Sequence, residues 1–95
     1  MPKYHINIGL ITDMANISER FFVTAWQDNT EKVLTTRFAT WDILIKEFRR
    51  LKVLVRELGE AEKSINDTGS WTSPLPILLD DEQLVGLKLK LKSAY

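Results

Sequence analysis

The spacing of apolar residues changes near Thr40, and this change constrains the fold more than any other feature of the chain. Before Thr40, apolar residues recur at every second position, as in Tyr4, Ile6, Ile8 and Leu10. After it, they recur at three- and four-residue intervals, at Trp41, Leu44, Ile45, Phe48, Leu51, Val55 and Leu58. A period of two is typical of half-buried strands and a period near 3.6 of an amphipathic helix. The sequence therefore predicts strands followed by a helix.

Turn residues divide the first part of the chain into three predicted strands. The first covers Tyr4 to Leu10, and the polar stretch Thr12 to Arg20 is a predicted loop or short helical turn. A second strand is expected from about Phe21 to Trp26 and a third from about Lys32 to Ala39. Asp28, Asn29 and Thr30 lie between them and favour a hairpin turn.

The second part of the chain is predicted to contain one helix, one long loop and a final strand. Thr40 is a suitable cap for a helix over residues 41–58, with Gly59 just past its end. The polar stretch 59–76 is the expected loop, and the alternation of Val85, Leu87, Leu89 and Leu91 predicts the last strand. Ile77 to Leu79 is a possible edge strand, paired with the last one. The fold class is α+β: an antiparallel sheet of three to five strands packed by one amphipathic helix, in the order β-β-β-α-loop-β.

Size and charge restrict the classes of function. The 95 residues suffice for one domain, 1–95, which buries roughly 60–65% of its unfolded surface. Thirteen Lys and Arg balance thirteen Asp and Glu, so no net charge attracts nucleic acid or an anionic membrane. The absence of Cys fits a reducing compartment, and no signal-peptide or membrane-spanning pattern is apparent. We expect a cytoplasmic protein that is a monomer or small homo-oligomer, without membrane attachment.

The sequence predicts no enzyme, no catalytic residues and no cofactor. His5 is the single histidine and is expected to be a solvated or hydrogen-bonded surface residue, and no Gly-rich phosphate-binding motif is present. Asp80, Asp81 and Glu82 follow an apolar run. In a strand, Asp80 and Glu82 would point the same way and could share Mg²⁺ or Mn²⁺. We prefer a solvated acidic turn and predict no metal site.

Trp71 is the most unusual residue, because a large indole lies among small polar residues in a predicted loop. Such an indole is either an interface anchor or a lid folded back on the core, and the sequence leaves both open. Trp26 and Trp41, at the ends of predicted elements, are expected in the core.

Basic residues form two groups that could contact phosphates. One group lies on the predicted helix, and Lys88, Lys90 and Lys92 form a row on the predicted last strand. Interspersed Glu47 and Glu57 favour a solvated helix face, and lysines on an edge strand commonly prevent unwanted strand pairing. Nucleic-acid contact is therefore the less favoured interpretation.

Four short runs follow one another in the order Val23 to Asn29, Thr40 to Asp42 with Leu44, Ile65 to Trp71, and Leu78 to Asp81. Together they resemble the N-terminal segment of primase-polymerase proteins from phages and plasmids, in which a hairpin and a "TW" helix precede a strand ending in catalytic aspartates. That family spaces its acids as D-x-D, whereas this chain has Asp80-Asp81-Glu82. The resemblance implies a mobile-element origin more than polymerase activity. In architecture alone, the chain is similar to small phage inhibitors such as anti-CRISPR proteins.

The predicted function is therefore that of a non-catalytic protein-binding module, and the expected origin is a phage or mobile element. We expect the module to inhibit or adapt a larger host protein or nucleoprotein complex that acts in nucleic-acid processing or defence. Its predicted contact residues are Trp71, Asp80, Asp81, Glu82, Lys88 and Lys90. The alternatives are a metal-dependent nucleotidyl or phosphodiester enzyme, or a remnant of one, and a small nucleic-acid-binding protein.

Overall fold

An antiparallel sheet forms one layer of the structure, a computed structural model that describes residues 2–11 and 20–91. Its strands are β1 Lys3–Leu10, β2 Phe21–Trp26, β3 Val33–Phe38, β4 Ser70–Thr72, β5 Ile77–Leu78 and β6 Lys90–Leu91. Their order across the sheet is β4-β1-β2-β3-β6, and β5 also pairs with β1. Three helices form the second layer: α1 Trp41–Arg50, α2 Leu58–Thr68 and α3 Asp81–Gly86. The α+β class is confirmed, with three helices in the described ranges where one was expected.

The first three strands match their predicted positions. Each pairs with the next in antiparallel register, for example Ile8 with Val23 and Val23 with Thr36. Asn29, in the turn between β2 and β3, has a φ of 64°, a conformation that asparagine tolerates better than most residues. Of the loop predicted over residues 12–20, residues 12–19 lie outside the described part of the chain.

One face of the sheet carries the core. Ile6, Ile8, Val23 and Ala25 are fully buried on this face, and Trp71 of β4 joins them by pairing with Ile8. The helices bury their apolar residues in the same cluster, through Leu44 and Phe48 of α1, Leu58, Ala61 and Ile65 of α2, and Leu87 just after α3. The side chains at alternate strand positions point to the opposite face.

β4 and β5 together run along one edge of β1, with a short interruption between them. Pro74 and Pro76 lie in this interruption and have no N–H to donate. Ser73 bridges the gap, because its N–H donates to the carbonyl of Ile6 at 2.8 Å and its hydroxyl accepts from the N–H of Ile6 at 3.1 Å. The edge strand predicted at Ile77 to Leu79 is therefore present, but its partner is β1 and not the last strand.

The predicted long helix ends at Arg50 rather than Leu58. Thr40 caps it as predicted, its hydroxyl accepting from the N–H of Ile43. At the other end, the N–H of Lys52 donates to the carbonyl of Arg49, and the N–H of Val53 donates to the carbonyl of Phe48. These two bonds form a Schellman motif, in which Lys52 adopts the left-handed conformation with a φ of 59°. Beyond Arg50 the burial no longer follows the predicted helical phase, because Val53 and Leu54 are buried in this turn, whereas Val55 is 47% exposed.

The predicted loop over 59–76 contains a second helix, α2. Leu58, Ala61 and Ile65 occupy one helical face and are buried, while the acidic and amide residues lie on the exposed face. Gly59 lies inside α2, and Gly69, with a φ of 89°, ends it. The two prolines come after the helix and do not oppose it.

The predicted last strand over 85–91 is wrong for most of its length. α3 occupies 81–86, Lys88 turns the chain at φ 60°, and only Lys90 and Leu91 form a strand. Val85 and Leu91, expected in phase with Leu87 and Leu89, are 76% and 63% exposed. The physical reason is the strong helix start at Asp80, which puts Leu84 and Leu87 on one helical face.

Candidate functional site

Trp71 is not an exposed anchor. It is the central residue of β4, pairs with Ile8 and is only 6% exposed, so it belongs to the core. Of the two interpretations that the sequence left open, the structure agrees with the indole folded onto the core. The predicted contact surface therefore lacks its aromatic residue.

Asp80 begins α3 and is not part of a strand. Its Oδ1 accepts from the N–H of Gln83 at 2.7 Å, and the Gln83 side chain accepts from the N–H of Asp80 at 2.9 Å, which completes a capping box. Asp81 and Glu82 follow in the first turn, where carboxylates suit the helix dipole, and both are exposed. The strand geometry that would align Asp80 with Glu82 is absent. No group of three or more metal-ligating side chains occurs within residues 2–11 and 20–91.

The predicted lysine row is interrupted. Lys88 lies in the turn after α3, and Lys90 lies in β6 opposite Thr35. Lys92 falls outside the described residues. Both described lysines are exposed, but the turn at Lys88 prevents them from forming one face of a strand. The structure thus does not combine the six predicted contact residues into one surface.

A different surface emerges from the register of the sheet. We call it the open face, meaning the side of the sheet opposite the core. The side chains assigned to it by alternation are Lys3, His5, Asn7, Gly9, Phe22, Thr24, Trp26, Val33, Thr35, Arg37, Ser70, Thr72, Leu78 and Lys90. All of them keep part of their surface exposed except Gly9, which is buried.

Gly9 is buried because the ring of Phe22 lies across it. The two residues are direct cross-strand partners, and a Cβ added to Gly9 would lie 2.6 Å from Cε1 of Phe22 and still closer to Cζ. The missing side chain therefore lets the ring lie against the β1 backbone. Phe22 remains half-buried, so its ring covers the glycine on one side and is partly open to solvent on the other.

Trp26 is the second aromatic residue of the open face. Its ring stacks on that of His5, its cross-strand partner, with centroids 5.5 Å apart and planes inclined by 24°. Nε2 of His5 lies 2.8 Å from Oδ1 of Asp28 in the hairpin turn. The prediction of a hydrogen-bonded surface His5 is confirmed. Trp26 lies opposite the core face, so its predicted place in the core is wrong, whereas Trp41 is partly buried against the core.

The charges of the sheet are segregated by sign. The six strands contain three charged residues, Lys3, Arg37 and Lys90, which are all cations on the open face, and no Asp or Glu. Arg20, just before β2, extends the pairing of β1 with β2, because its carbonyl accepts from the N–H of Ile11 at 2.7 Å. The alternation of side chains along β2 puts Arg20 on the open face as well. The open face therefore combines aromatic rings with positive charge.

A shallow groove lies beside β3 at the edge of the sheet. It has a volume of about 310 Å³, and Thr36, Phe38, Ile43, Glu47, Arg50 and Lys88 are among the lining residues. The carboxylate of Glu47 is paired with the guanidinium of Arg50 at 2.7 Å. This lining contains no histidine or cysteine, and Glu47 is its single carboxylate.

One signal for the open face is present in the sequence and was missed. β2 reads FFVTAW, with large apolar residues at both phases of the alternation, although only one face of this sheet carries the core. Phe22 and Trp26 occupy the outward phase, where polar residues are the norm in a one-sided antiparallel sheet. Apolar residues at both phases therefore indicated either a sheet covered on both sides or a binding face.

Comparison of the chain with protein-family models, curated proteins and solved structures found no match. No helix within the described ranges has both the length and the apolar character that crossing a bilayer requires.

Proposed function

We propose that this protein is a non-catalytic binding module that attaches to a larger protein or nucleoprotein complex through the open face of its sheet. The observation that carries the proposal is the outward position of Phe22 and Trp26 on β2. Burying two aromatic side chains in a partner is strongly favourable, because each has a large apolar surface and little conformational entropy to lose. Isolated exposed apolar residues are common on protein surfaces, but here Val33 and Leu78 extend the same face.

The non-catalytic part of the proposal is supported by the roles that the candidate catalytic groups already have. Asp80 caps α3. His5 is stacked on Trp26 and bonded to Asp28. The contacts of Asp80 and His5 therefore give both residues a role in stabilising local structure. His5 and Trp26 also form a preorganised pair, which reduces the entropy lost when a partner docks on them.

The finer form of the proposal is a phage or mobile-element protein, working in the cytoplasm, that inhibits or adapts a host complex. Its support is the small size of the chain, the α+β architecture shared with small phage inhibitors, and the short runs that resemble primase-polymerase proteins. In this form the open face replaces the surface of Trp71, Asp80, Asp81, Glu82 and Lys88 that the sequence suggested. Lys90 is kept, because it lies on the open face.

Affinity capture from the cells that carry the protein tests this proposal. The bait would be compared with a variant in which Phe22→Ala and Trp26→Ala are combined. The matched control is Val85→Ala, which removes an apolar side chain that is 76% exposed on α3, in the helical layer. We expect the double variant to lose a component that both the wild type and the control retain.

Circular dichroism and urea unfolding of each bait would verify that the variants are folded under the capture conditions. Retention of every captured component by a folded double variant would contradict the proposal, because the open face would then contribute nothing to binding.

A further inference from the structure

We infer that the open face binds a single-stranded nucleic acid. This inference rests on the proposed function and names the chemical class that contacts the open face. It depends on three features of the same surface: the sign of its charges, the spacing of its aromatic rings and the polar row between them.

The first feature is the charge. The whole chain is neutral, with thirteen cations and thirteen anions, yet the strands carry only cations, and all of these lie on the open face. Asp28 and Glu31 belong to the hairpin turn at one end of the face, and Glu19, which precedes β2, lies outside the described residues. Asp28 is bonded to His5. A polyanion is the partner that this segregation favours.

The second feature is the pair of aromatic residues on β2. Phe22 and Trp26 lie four residues apart on the same face, which is roughly 13 Å at the rise of an extended strand. The two rings are therefore separate surfaces and do not stack on each other. Unpaired bases stack on such rings in proteins that bind single strands, and every base has a face suited to this contact.

The third feature is a row of hydroxyl and amide groups between the two rings. In register across the sheet the row contains Thr72, Asn7, Thr24 and Thr35, and it ends at Lys90. The amide of Asn7 donates to the carbonyl of Trp71 and to the hydroxyl of Thr72, and these two bonds fix its orientation. Such groups suit base edges and sugar hydroxyls.

Other occupants fit this surface less well. A second copy docked face to face would bring together two surfaces whose charged strand residues are all cations, and like charges at an interface are unfavourable. A duplex keeps its bases stacked, so the two rings would have no base face to contact. The cations of α1 form no comparable site, because Glu47 lies among them and is paired with Arg50.

The test is fluorescence anisotropy with labelled oligonucleotides of about 16 nucleotides, the upper end of common single-strand sites. The probes are single-stranded RNA, single-stranded DNA and a duplex of equal length, each titrated with purified full-length protein at two salt concentrations. We expect binding of at least one single strand and weaker binding of the duplex. Phe22→Leu, which keeps an apolar side chain and removes the aromatic face, should weaken binding by roughly tenfold or more.

The cations provide an independent readout. Arg37→Gln should reduce the slope of log K against log salt concentration by about 0.7 for each phosphate that the variant no longer neutralises. Arg49→Gln on α1, also an exposed arginine, is the matched control and should leave the slope unchanged. Equal effects of the two variants would contradict the inference.

Three further results would overturn it: no binding of either single strand, duplex binding as tight as single-strand binding, or full affinity in folded Phe22→Leu. The affinity capture described under the proposed function shows whether such a result contradicts only the nucleic-acid inference or the proposed function as well. If single strands do not bind but the Phe22 and Trp26 double variant still loses its captured component, the open face binds another class of partner. If that variant loses nothing, the proposed function fails as well.

Discussion

The ring of Phe22 covers the backbone of Gly9 on the side of the sheet opposite the core. An aromatic residue that covers a cross-strand glycine in this way compensates for the missing side chain, because it shields the bare backbone from water. Phe22 is half-buried, so part of this side chain stays exposed on the open face. Gly9 is thus a structural requirement of the open face.

The first prediction concerns this contact. Gly9→Ala inserts a methyl group into space occupied by the ring, and we expect it to lower the free energy of unfolding by about 1–3 kcal/mol. Combined with Phe22→Ala, the same change should cost much less, since the obstructing ring is gone. A double-mutant cycle from urea unfolding measures this coupling. Strictly additive effects of the two changes would contradict the described packing.

The second prediction concerns the acidic residues at the start of α3. Asp80→Ala removes the side-chain oxygen that accepts from the N–H of Gln83, and we expect it to lower the free energy of unfolding by about 1 kcal/mol. Asp80→Asn should retain most of the stability, because asparagine also caps well. Asp81→Ala, at an exposed position in the first turn, is the control and should change stability by about 0.5 kcal/mol or less. A larger loss for Asp81→Ala than for Asp80→Ala would rule out the capping role.

The third prediction concerns Trp71. Because it is 6% exposed and packed in the core, we expect Trp71→Ala to destabilise the protein by about 3–5 kcal/mol. Trp26→Ala, on the open face, should cost clearly less because that indole is only half-buried. Thermal unfolding monitored by circular dichroism compares the two variants. A mild effect of Trp71→Ala would mean that the indole is exposed, as the sequence alone allowed.

The fourth prediction concerns the turn after α1. Lys52 has a φ of 59°, which costs a non-glycine residue about 1 kcal/mol. Lys52→Gly should therefore raise stability or leave it unchanged. Lys46→Gly, in the interior of the same helix, should instead lower stability by about 1 kcal/mol. Chemical denaturation distinguishes the two cases, and a loss of equal size in both variants would be inconsistent with a left-handed Lys52.

The strands and the first helix start were predictable because their signals are local. The alternation of Tyr4 to Leu10, the turn at Asp28 and Asn29, and the cap at Thr40 each act within a few residues. The end of α1 was not predictable in this way. Lys52 occupies a position where helices usually have glycine, and the same arrangement recurs at Lys88 after α3. Lysine carries no local signal for a left-handed turn.

The last quarter of the chain was misread because two patterns compete there. Val85, Leu87, Leu89 and Leu91 alternate as in a strand, but Asp80 and Gln83 form a capping box that starts a helix. Tertiary contacts favour the helix, since Gln83 Nε2 donates to the carbonyl of Leu51 at 3.0 Å and Gly86 packs closely against the Leu51 side chain. Leu51 lies 32 residues from Gln83 in sequence, so no local pattern contains this contact.

The candidate site was missed for a related reason. Phe22 and Trp26 were visible as strand residues, but their common face follows from the register with β1 and β3. Lys3, Arg37 and Lys90 are scattered along the sequence, and only the sheet order brings them to one side. Trp71, which the sequence alone allowed as a surface anchor, is buried because β4 pairs with β1 and puts it beside Ile8.

The three tryptophans provide the most direct test of binding through the open face, because Trp26 lies on that face, Trp41 in the helical layer and Trp71 in the core. The measurement is a ¹H–¹⁵N correlation spectrum of the labelled protein during titration with its captured partner or with the tightest oligonucleotide. We predict that the indole N–H of Trp26 and the amides of β1, β2 and β3 shift, while the indole of Trp71 and the amides of α1 and α2 stay in place. The largest shifts at Trp41, α1 and α2, with Trp26 unmoved, would contradict the account.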